Sequence, residues 1–471
     1  MSSLQEMQQT FARHGQEHVF RFVGELPENK QAELLENCRE IDLEELTQLI
    51  QNHLQKEETS GTSADDLEPA PSIRVPENGG DPEAWEKARA DGEALLRGGK
   101  VACFTVAGGQ GTRLGYDGPK GTYPVTPVRK KTLFQVFAEK IQAASRRYET
   151  RLPWFIMTSD LNHEATAKFF AENQFFGLDR NDVFFFRQGR MPAVDEQGKL
   201  LLAEKNALAL SPDGHGGSFK ALARNGALAE MKKRGIEILS YFQVDNPLVA
   251  VIDPAFIGFH QQTGSEMSSR MIPKRSPEEK VGNFCRKDGK IQVVEYSDMP
   301  KELAQKTDAG GNLVFTAGSI AIHLIDRDFA DRMANSGDLP FHQAHKKVPY
   351  VDENGKKVEP SEPNAFKFEK FIFDALPLAQ NPLVLETRRE EEFSPVKNAT
   401  GVDSAESCRQ DQVAQFARWL TAAGVELPAA AREEDFSLEI SPLFAINERE
   451  FRERWERLNP KPEIHNGLYL S

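Results

Sequence analysis

From residue 98 to about residue 400, short apolar runs alternate with stretches of helical periodicity. Val101 to Ala107 is almost wholly apolar, and WFIMTS at 154–159, VFFF at 183–186, ILSYFQV at 238–244 and QVVEYS at 292–297 repeat the pattern. Runs of this length read as strands, and an unbroken apolar run reads as a strand buried on both faces. Ala165 to Glu172 and Phe219 to Arg234 carry helical spacing between them. The alternation predicts an α/β fold, with a parallel or mixed sheet flanked by helices.

The flanks differ. Gln5 to Phe22 and Lys30 to Leu54 are two helical patterns, the second carrying Leu34, Leu35, Ile41, Leu43, Leu46, Leu49 and Ile50. Residues 56–80 turn polar and rich in Ser, Gly, Pro and acid, as a linker does. Asp81-Pro82 opens a further helix, with an N-cap followed by proline, and Gly98-Gly99 closes it. After Gly401 come a helix near Gln410 to Ala423, a strand at Leu438 to Ile440, and a C-terminal helix with Phe444, Phe451 and Trp455. Three blocks are expected: an N-terminal helical region with linker (1–97), a catalytic domain (98–402) and a small C-terminal domain (403–471).

Composition narrows the function. The 471 residues are enough for two or three domains, and 39% are hydrophobic. A net charge of −14 argues against nonspecific nucleic-acid or anionic-membrane binding. Cys38, Cys103, Cys285 and Cys408 are scattered, with no C-x-x-C pair, so neither a zinc site nor a disulfide framework is suggested. No apolar run reaches membrane-spanning length and the N-terminus lacks an apolar signal region, so a reducing, cytoplasmic location is expected.

Against that acidic background, residues 113–131 hold Arg113, Lys120, Arg129, Lys130 and Lys131 with Asp117 as the one acid. Arg129 to Lys131 reads mainly as a solvated turn. Arg113 and Lys120 follow the Val101–Ala107 strand and its glycine-rich turn, AGGQGTRLG at 107–115. Such a turn lets a base or phosphate approach backbone N–H groups, and its place after a strand is where open α/β sheets put their ligands. It could equally be a tight strand-to-helix turn. The dinucleotide fingerprint would need glycine at Leu114, and a Walker loop would need Ser or Thr at Val101.

Further motifs follow in order: PKG at 119–121, KTLFQVFAEKI at 131–141, FRQGRMPA at 186–193, PDGHGGSFKAL at 212–222 and FQVDNPLV at 242–249. VGNFCRKDGKIQVVEYSD at 281–298, FTAGSIAIH at 315–323, KFEKFIFD at 367–374 and FSPVKN at 393–398 complete the set. Together they resemble the eukaryotic-type UDP-sugar pyrophosphorylases, notably the UDP-N-acetylglucosamine pyrophosphorylases, over residues 80–445. The resemblance implies a Rossmann-like, GT-A-like nucleotidyltransferase fold. It also implies uridylyl transfer, in which a sugar 1-phosphate attacks the α-phosphorus of UTP in line and pyrophosphate leaves. That chemistry needs fixed cations and Mg²⁺ but no enzyme nucleophile.

The resemblance assigns roles residue by residue. Gly108 and Gly109 match backbone contacts to the uracil edge, and Gly214 lies in a further nucleotide-binding turn. Gln188 matches a glutamine that reads the base, although on its own it reads as a polar strand-end residue. Arg113, Lys120 and Lys397 match the triphosphate cations, and Asp245 the Mg²⁺ ligand. Without the resemblance Lys397 is a surface lysine and Asp245-Asn246-Pro247 a turn. Gly282 and Glu295 match contacts to sugar hydroxyls. Phe371 and Phe373 match the wall near an N-acetyl group, or are strand core. Two departures stand out: the family's Gly-Asn-Gly-Gly is here Gly214-His215-Gly216-Gly217, and the asparagine of its Gly-Asn-Ile-Ala is here Ser319. His215 is a ligand or fills the loop. The changes put the sugar in question, with glucose, N-acetylglucosamine or a related hexose 1-phosphate open.

Two other readings compete. A glycosyltransferase of similar topology would take a UDP-sugar as donor, but usually shows Asp-x-Asp where this chain has Val244-Asp245-Asn246. A non-catalytic nucleotide-sugar-binding relative would lose the triphosphate cations first, and all three are present.

Overall fold

The computed structural model describes residues 4–53, 67–337, 339–432 and 435–471; residues 56–66 of the expected linker lie outside them. Contacts divide the chain into two compact units that do not follow the blocks 1–97, 98–402 and 403–471. The smaller combines residues 1–61, 188–220 and 337–374; the larger combines 62–187, 221–336 and 375–471.

The larger unit is built on a ten-stranded mixed sheet. Val101–Val106, Trp154–Thr158, Val183–Arg187 and Ile238–Gln243 are its parallel strands, with Ile238–Gln243 beside Val101–Val106. Ala317–Asp326 joins antiparallel on the other side of Ile238–Gln243, followed by Asn283–Lys287. The apolar runs become central strands because both faces are covered: Phe104, Trp154, Phe155 and Tyr241 are fully buried. Each such side chain contributes roughly 1.5–3 kcal/mol through burial. The one polar atom of Trp154 is satisfied, its indole N–H donating to Thr105 Oγ1 at 2.7 Å.

Asp81 caps the Pro82–Arg97 helix as expected, its side chain accepting from Glu83 N. That helix crosses Pro254–Thr263 backbone to backbone. A Cβ at Gly92 would stand 1.8 Å from the Pro254 carbonyl oxygen, and one at Gly258 1.7 Å from that of Ala88. Residues 403–471 carry their own apolar cluster, including Trp419, Phe436, Leu438, Phe451 and Trp455.

The smaller unit packs the N-terminal helices on short strands. Phe11, Val19, Leu34, Leu46 and Leu49 share a core with Val194, Leu200, Leu202, Leu208 and Phe368. Ala365–Glu369 pairs with His342–Lys346 and with Val194–Asp195.

Several elements differ from the sequence reading for local reasons. The helix expected over Gln5–Phe22 ends at Arg13, because Gly15 turns left-handed (φ 69°), and a 3₁₀ turn at Glu17–Phe20 follows. The Lys30–Leu54 pattern is two helices, Glu28–Arg39 and Leu43–His53, since the Asp42 side chain accepts from Glu45 N and starts the second. Phe219–Arg234 divides at left-handed Gly226 into Ser218–Arg224 and Ala227–Lys233. The QVVEYS strand is Lys290–Val294 and stops where Glu295 O takes up the N–H groups of Asp298 and Met299. Phe444 precedes the last helix, Glu448–Arg457, rather than lying on it. Phe371 and Phe373 are not strand core, because the strand ends at Glu369 and a 3₁₀ segment, Ile372–Leu378, begins.

Candidate functional site

In the larger unit the carboxyl ends of two neighbouring parallel strands carry the predicted phosphate chemistry. Val244 N donates to Val106 O at 3.1 Å, which puts Asp245 beside the start of the glycine loop. The loop is tied down by polar residues that the sequence reading passed over. Ser159 Oγ donates to Gly108 O at 2.8 Å, and Asn162 Nδ2 donates to Ala107 O at 2.9 Å and Gly109 O at 3.2 Å. Asn162 is fully buried and Ser159 nearly so. Their signal was the polar pair Ser159-Asp160, followed by Asn162, closing an apolar strand. No described atom lies within 4 Å of a Cβ built at Gly109, so the chain's own packing does not demand glycine there.

Lys120 returns to the loop, its N–H donating to Gly109 O at 3.1 Å, and its ammonium stands 3.7 Å from Asp245 Oδ2. Arg113 is exposed in the 3₁₀ turn Thr112–Leu114. Lys397 arrives from a separate segment. Val396 N donates to Asp245 O at 2.8 Å, and Lys397 N donates to Asp403 O at 2.6 Å. Asn246, fully engaged, clamps the same segment: its Nδ2 donates to Glu392 O at 2.7 Å and its Oδ1 accepts from Ser394 N at 3.1 Å. Lys120, Asp245 and Lys397 are thus brought together by main-chain bonds. Asp403, also missed in the sequence, joins them in a left-handed conformation (φ 56°). Burial raises its carboxyl above the usual range; the Lys397 ammonium opposes that rise and the Asp245 charge adds to it. The basic cluster behaves as the charge pattern suggested. Arg129 and Lys130 are exposed, while Lys131 is buried against Glu139 at 2.5 Å.

The residues matched to the sugar fall in both units. In the larger, Ser319 N donates to Gly282 O at 2.8 Å. A Cβ at Gly282 would meet Val293 Cγ1 at 2.7 Å and Glu295 Oε1 at 3.2 Å, so glycine is required and the three positions adjoin. Asn283 is next in sequence but occupied: it accepts from Lys274 Nζ at 3.1 Å and donates to Phe315 O at 2.8 Å. In the smaller unit His215 stacks on Phe371 (5.3 Å, 22°) and leans on Phe373 (5.8 Å). His342 also stacks on Phe371, at 4.4 Å, and bonds Asp374 Oδ2 through Nε2 at 2.8 Å. Ile372 N donates to His215 Nδ1 at 3.1 Å, which assigns the proton of the neutral ring to Nε2. Burial holds the His215 pKa down at about 4, with His342 adding to the effect. His215 is therefore a neutral donor at physiological pH. Gln188 follows the Val183–Arg187 strand, half-buried, and Gly214 (φ 81°) opens the His215 turn.

The sequence profile of UTP--glucose-1-phosphate uridylyltransferase matches residues 43–411. The chain belongs to this family. UDP-N-acetylhexosamine pyrophosphorylase-like protein 1 of Homo sapiens is 40% identical over 475 residues, covering 95% of this chain and 94% of the human one. The UDP-N-acetylglucosamine pyrophosphorylase of Saccharomyces cerevisiae is 36% identical over 442 residues, covering 89% and 91%. The crystal structure of the uridine diphosphate N-acetylglucosamine pyrophosphorylase from Trypanosoma brucei in complex with inhibitor superimposes with a TM-score of 0.84 at 27% identity, covering 100% and 98%. As a member of the uridylyltransferase family, the protein makes a UDP-sugar and pyrophosphate from UTP and a sugar 1-phosphate, and the glycosyltransferase reading falls away. Among the described residues no helix is long and apolar enough to cross a membrane.

Proposed function

We propose that this uridylyltransferase acts on hexose 1-phosphates, taking N-acetylhexosamine 1-phosphate with a plain hexose 1-phosphate at least competitive. The observation that carries the reading is the meeting of Lys120, Asp245 and Lys397 beside the glycine loop. Two phosphorylated substrates repel each other, and cations fixed before they bind offset that repulsion as charge moves onto pyrophosphate. Lys120 and Lys397 fill that role, with Arg113 at the exposed end of the loop. Gly108 and Gly109 offer backbone to the uracil edge, and Gln188, whose amide both donates and accepts, suits an imide. Gly214 is assigned to the nucleotide by the family resemblance.

The acidic groups suit Mg²⁺. Among the described residues no group of three or more His, Cys, Asp or Glu forms a metal cage. Asp245, with Asp403 near it, is instead the one-or-two-carboxylate arrangement in which substrate phosphates complete the shell. When bound, Mg²⁺ neutralises phosphate charge. Asp245 would hold it, with the Lys120 ammonium 3.7 Å from that carboxylate.

The sugar preference rests on His215 and Ser319. The relatives named above are pyrophosphorylases of UDP-N-acetylhexosamine or UDP-N-acetylglucosamine. Here a ring N–H and a short hydroxyl stand where amides are expected, and the amide of Asn283 is committed elsewhere. A site that loses an acceptor discriminates less against a sugar lacking the acetamido N–H. Four free, buried thiols fit a reducing, cytoplasmic setting.

A pyrophosphate-release assay with UTP and a panel of sugar 1-phosphates tests the reading. Release is expected with glucose and N-acetylglucosamine 1-phosphates, and its loss in excess EDTA. Full activity in EDTA would remove the metal. A preference above about a hundredfold for the N-acetylated sugar, near 3 kcal/mol, would remove the competitive plain hexose.

A further inference from the structure

The smaller unit is assembled from three separate stretches of sequence, and one carboxylate joins all three. Glu45, in the first turn of the Leu43–His53 helix, accepts from Lys220 Nζ at 3.0 and 3.1 Å and from Lys370 Nζ at 3.0 Å. Lys370 is 5% exposed, with its ammonium 4.0 Å from the centre of the Phe341 ring.

The main chain of Lys370 is also the surface on which the Gly214–Gly217 turn rests. Gly216 N donates to Lys370 O at 2.7 Å, and Lys370 N donates to Asp213 O at 2.8 Å. A Cβ at Gly214 would stand 2.4 Å from Lys370 O, and one at Gly216 2.6 Å from its carbonyl carbon. Two residues on, Ile372 N orients the His215 ring. Lys220 belongs to the Ser218–Arg224 helix that continues directly from the turn. Glu45 therefore grips both the helix behind the turn and the strand end beneath it.

A buried ammonium such as that of Lys370 is held only with an anion beside it, and the half-exposed Lys220 gathers at the same anion. Without Glu45, Lys220 can turn to solvent but Lys370 retains a buried charge with Asp213 as the remaining acid acting on it, and the segment that holds Gly216 and His215 shifts to relieve it.

We propose that Glu45 is a positioning residue for the Gly214–Gly217 turn, so that the N-terminal helical region sets the placement of His215 through Lys370. The kinetic part of this inference rests on the assignment of His215 to the sugar 1-phosphate, and the test separates the two. Hydrogen exchange of the full chain, followed in peptides covering 212–218 and 368–373, reports the turn directly. Steady-state KM values for UTP and for N-acetylglucosamine 1-phosphate report the site.

Glu45→Gln is expected to speed exchange in both peptides about tenfold, with protection of the Val101–Val106 strand unchanged. It is also expected to raise KM for the sugar phosphate about fivefold while leaving that for UTP alone. Adding Lys370→Met removes the stranded charge but keeps the main chain, and should restore protection to within about twofold. If the Gln variant does not fold, Glu45→Asp keeps the charge with a shorter reach and should give the same order of effects at smaller size. Unchanged exchange over 212–218 in the variant, or no recovery in the double variant, overturns the inference. Faster exchange with an unmoved sugar KM upholds the positioning and overturns the sugar assignment of His215.

Discussion

The phosphate end of the larger unit and the His215 turn of the smaller one solve opposite problems. At the first, charges are held ready: Lys120, Asp245 and Lys397 are fixed by bonds to the backbones of three loops, with Lys120 and Asp245 3.7 Å apart. At the second, charge is removed. His215 is neutral, its Nδ1 is committed to Ile372 N, and its face lies on Phe371. Reaction chemistry common to every sugar 1-phosphate requires the former, whereas selection among sugars needs uncharged groups whose donors and acceptors point one way. The two regions should therefore fail differently when altered.

The sharpest break is in the cations. Lys120→Ala and Lys397→Ala should each lower kcat by about a hundredfold or more, equally for every sugar, because each removes charge needed most in the transition state, worth about 2–4 kcal/mol. Thermal melting, measured alongside, should stay near that of the parent. A loss confined to one sugar would erase the distinction.

Next in size is the sugar end. His215→Asn combined with Ser319→Asn should shift the ratio of kcat/KM for N-acetylglucosamine over glucose 1-phosphate by about tenfold towards the acetylated sugar. The kcat for the better substrate should move only a few-fold. A drop in kcat for all sugars alike would make His215 part of the common machinery.

A smaller effect is expected behind the glycine loop. Asn162→Ala leaves the carbonyls of Ala107 and Gly109 short of a donor, a loss of about 1–3 kcal/mol for buried groups. KM for UTP should rise about fivefold and Tm fall by several degrees. An unchanged KM with a lower Tm would make Asn162 purely a structural tie.

The smallest effect separates the two regions by pH. The His215 pKa lies at about 4 in the folded protein, below the 6.5 of an unhindered imidazole. Between these values the unfolded chain binds the extra proton, so the contribution to stability is complete above pH 6.5 and is lost as pH falls towards 4. Melting of the parent against His215→Asn from pH 7.5 to 4.5 should show the parent losing on the order of 1 kcal/mol more, since the residue as a whole is half-buried. From pH 6 to 8, kcat/KM for the sugar should carry no ionisation that the His215→Asn change removes.

Sequence legibility follows the same division. The glycine loop, Lys120 and Asp245 lie at the ends of unbroken apolar strands, so pattern and motif coincide there. Lys397 needed the family resemblance, because its position depends on a main-chain bond from Val396 to Asp245 across about 150 residues of sequence. Ser159, Asn162 and Asp403 were missed. Their work is done with backbone carbonyls or in a left-handed turn, and neither is a feature of composition. The smaller unit was illegible as a unit, since residues 1–61, 188–220 and 337–374 share a core only after folding. Phe371 and Phe373 show the limit of periodicity. Their alternation imitates a strand, but the Lys370 N–H and C=O are spent on Asp213 and Gly216 and cannot pair in a sheet.

The four cysteines have a practical consequence. Cys38, Cys285 and Cys408 are buried with thiols pushed up to about 12, and Cys103, fully buried, is raised as well. At neutral pH the native molecule is nearly silent towards thiol reagents, which react with the thiolate. Labelling by such a reagent then counts openings of the fold: Cys38 reports the smaller unit, and Cys103, Cys285 and Cys408 report the larger. The chain carries its own stopwatch for each unit, readable by mass spectrometry with no residue changed, and any cysteine added at the surface will take a probe alone.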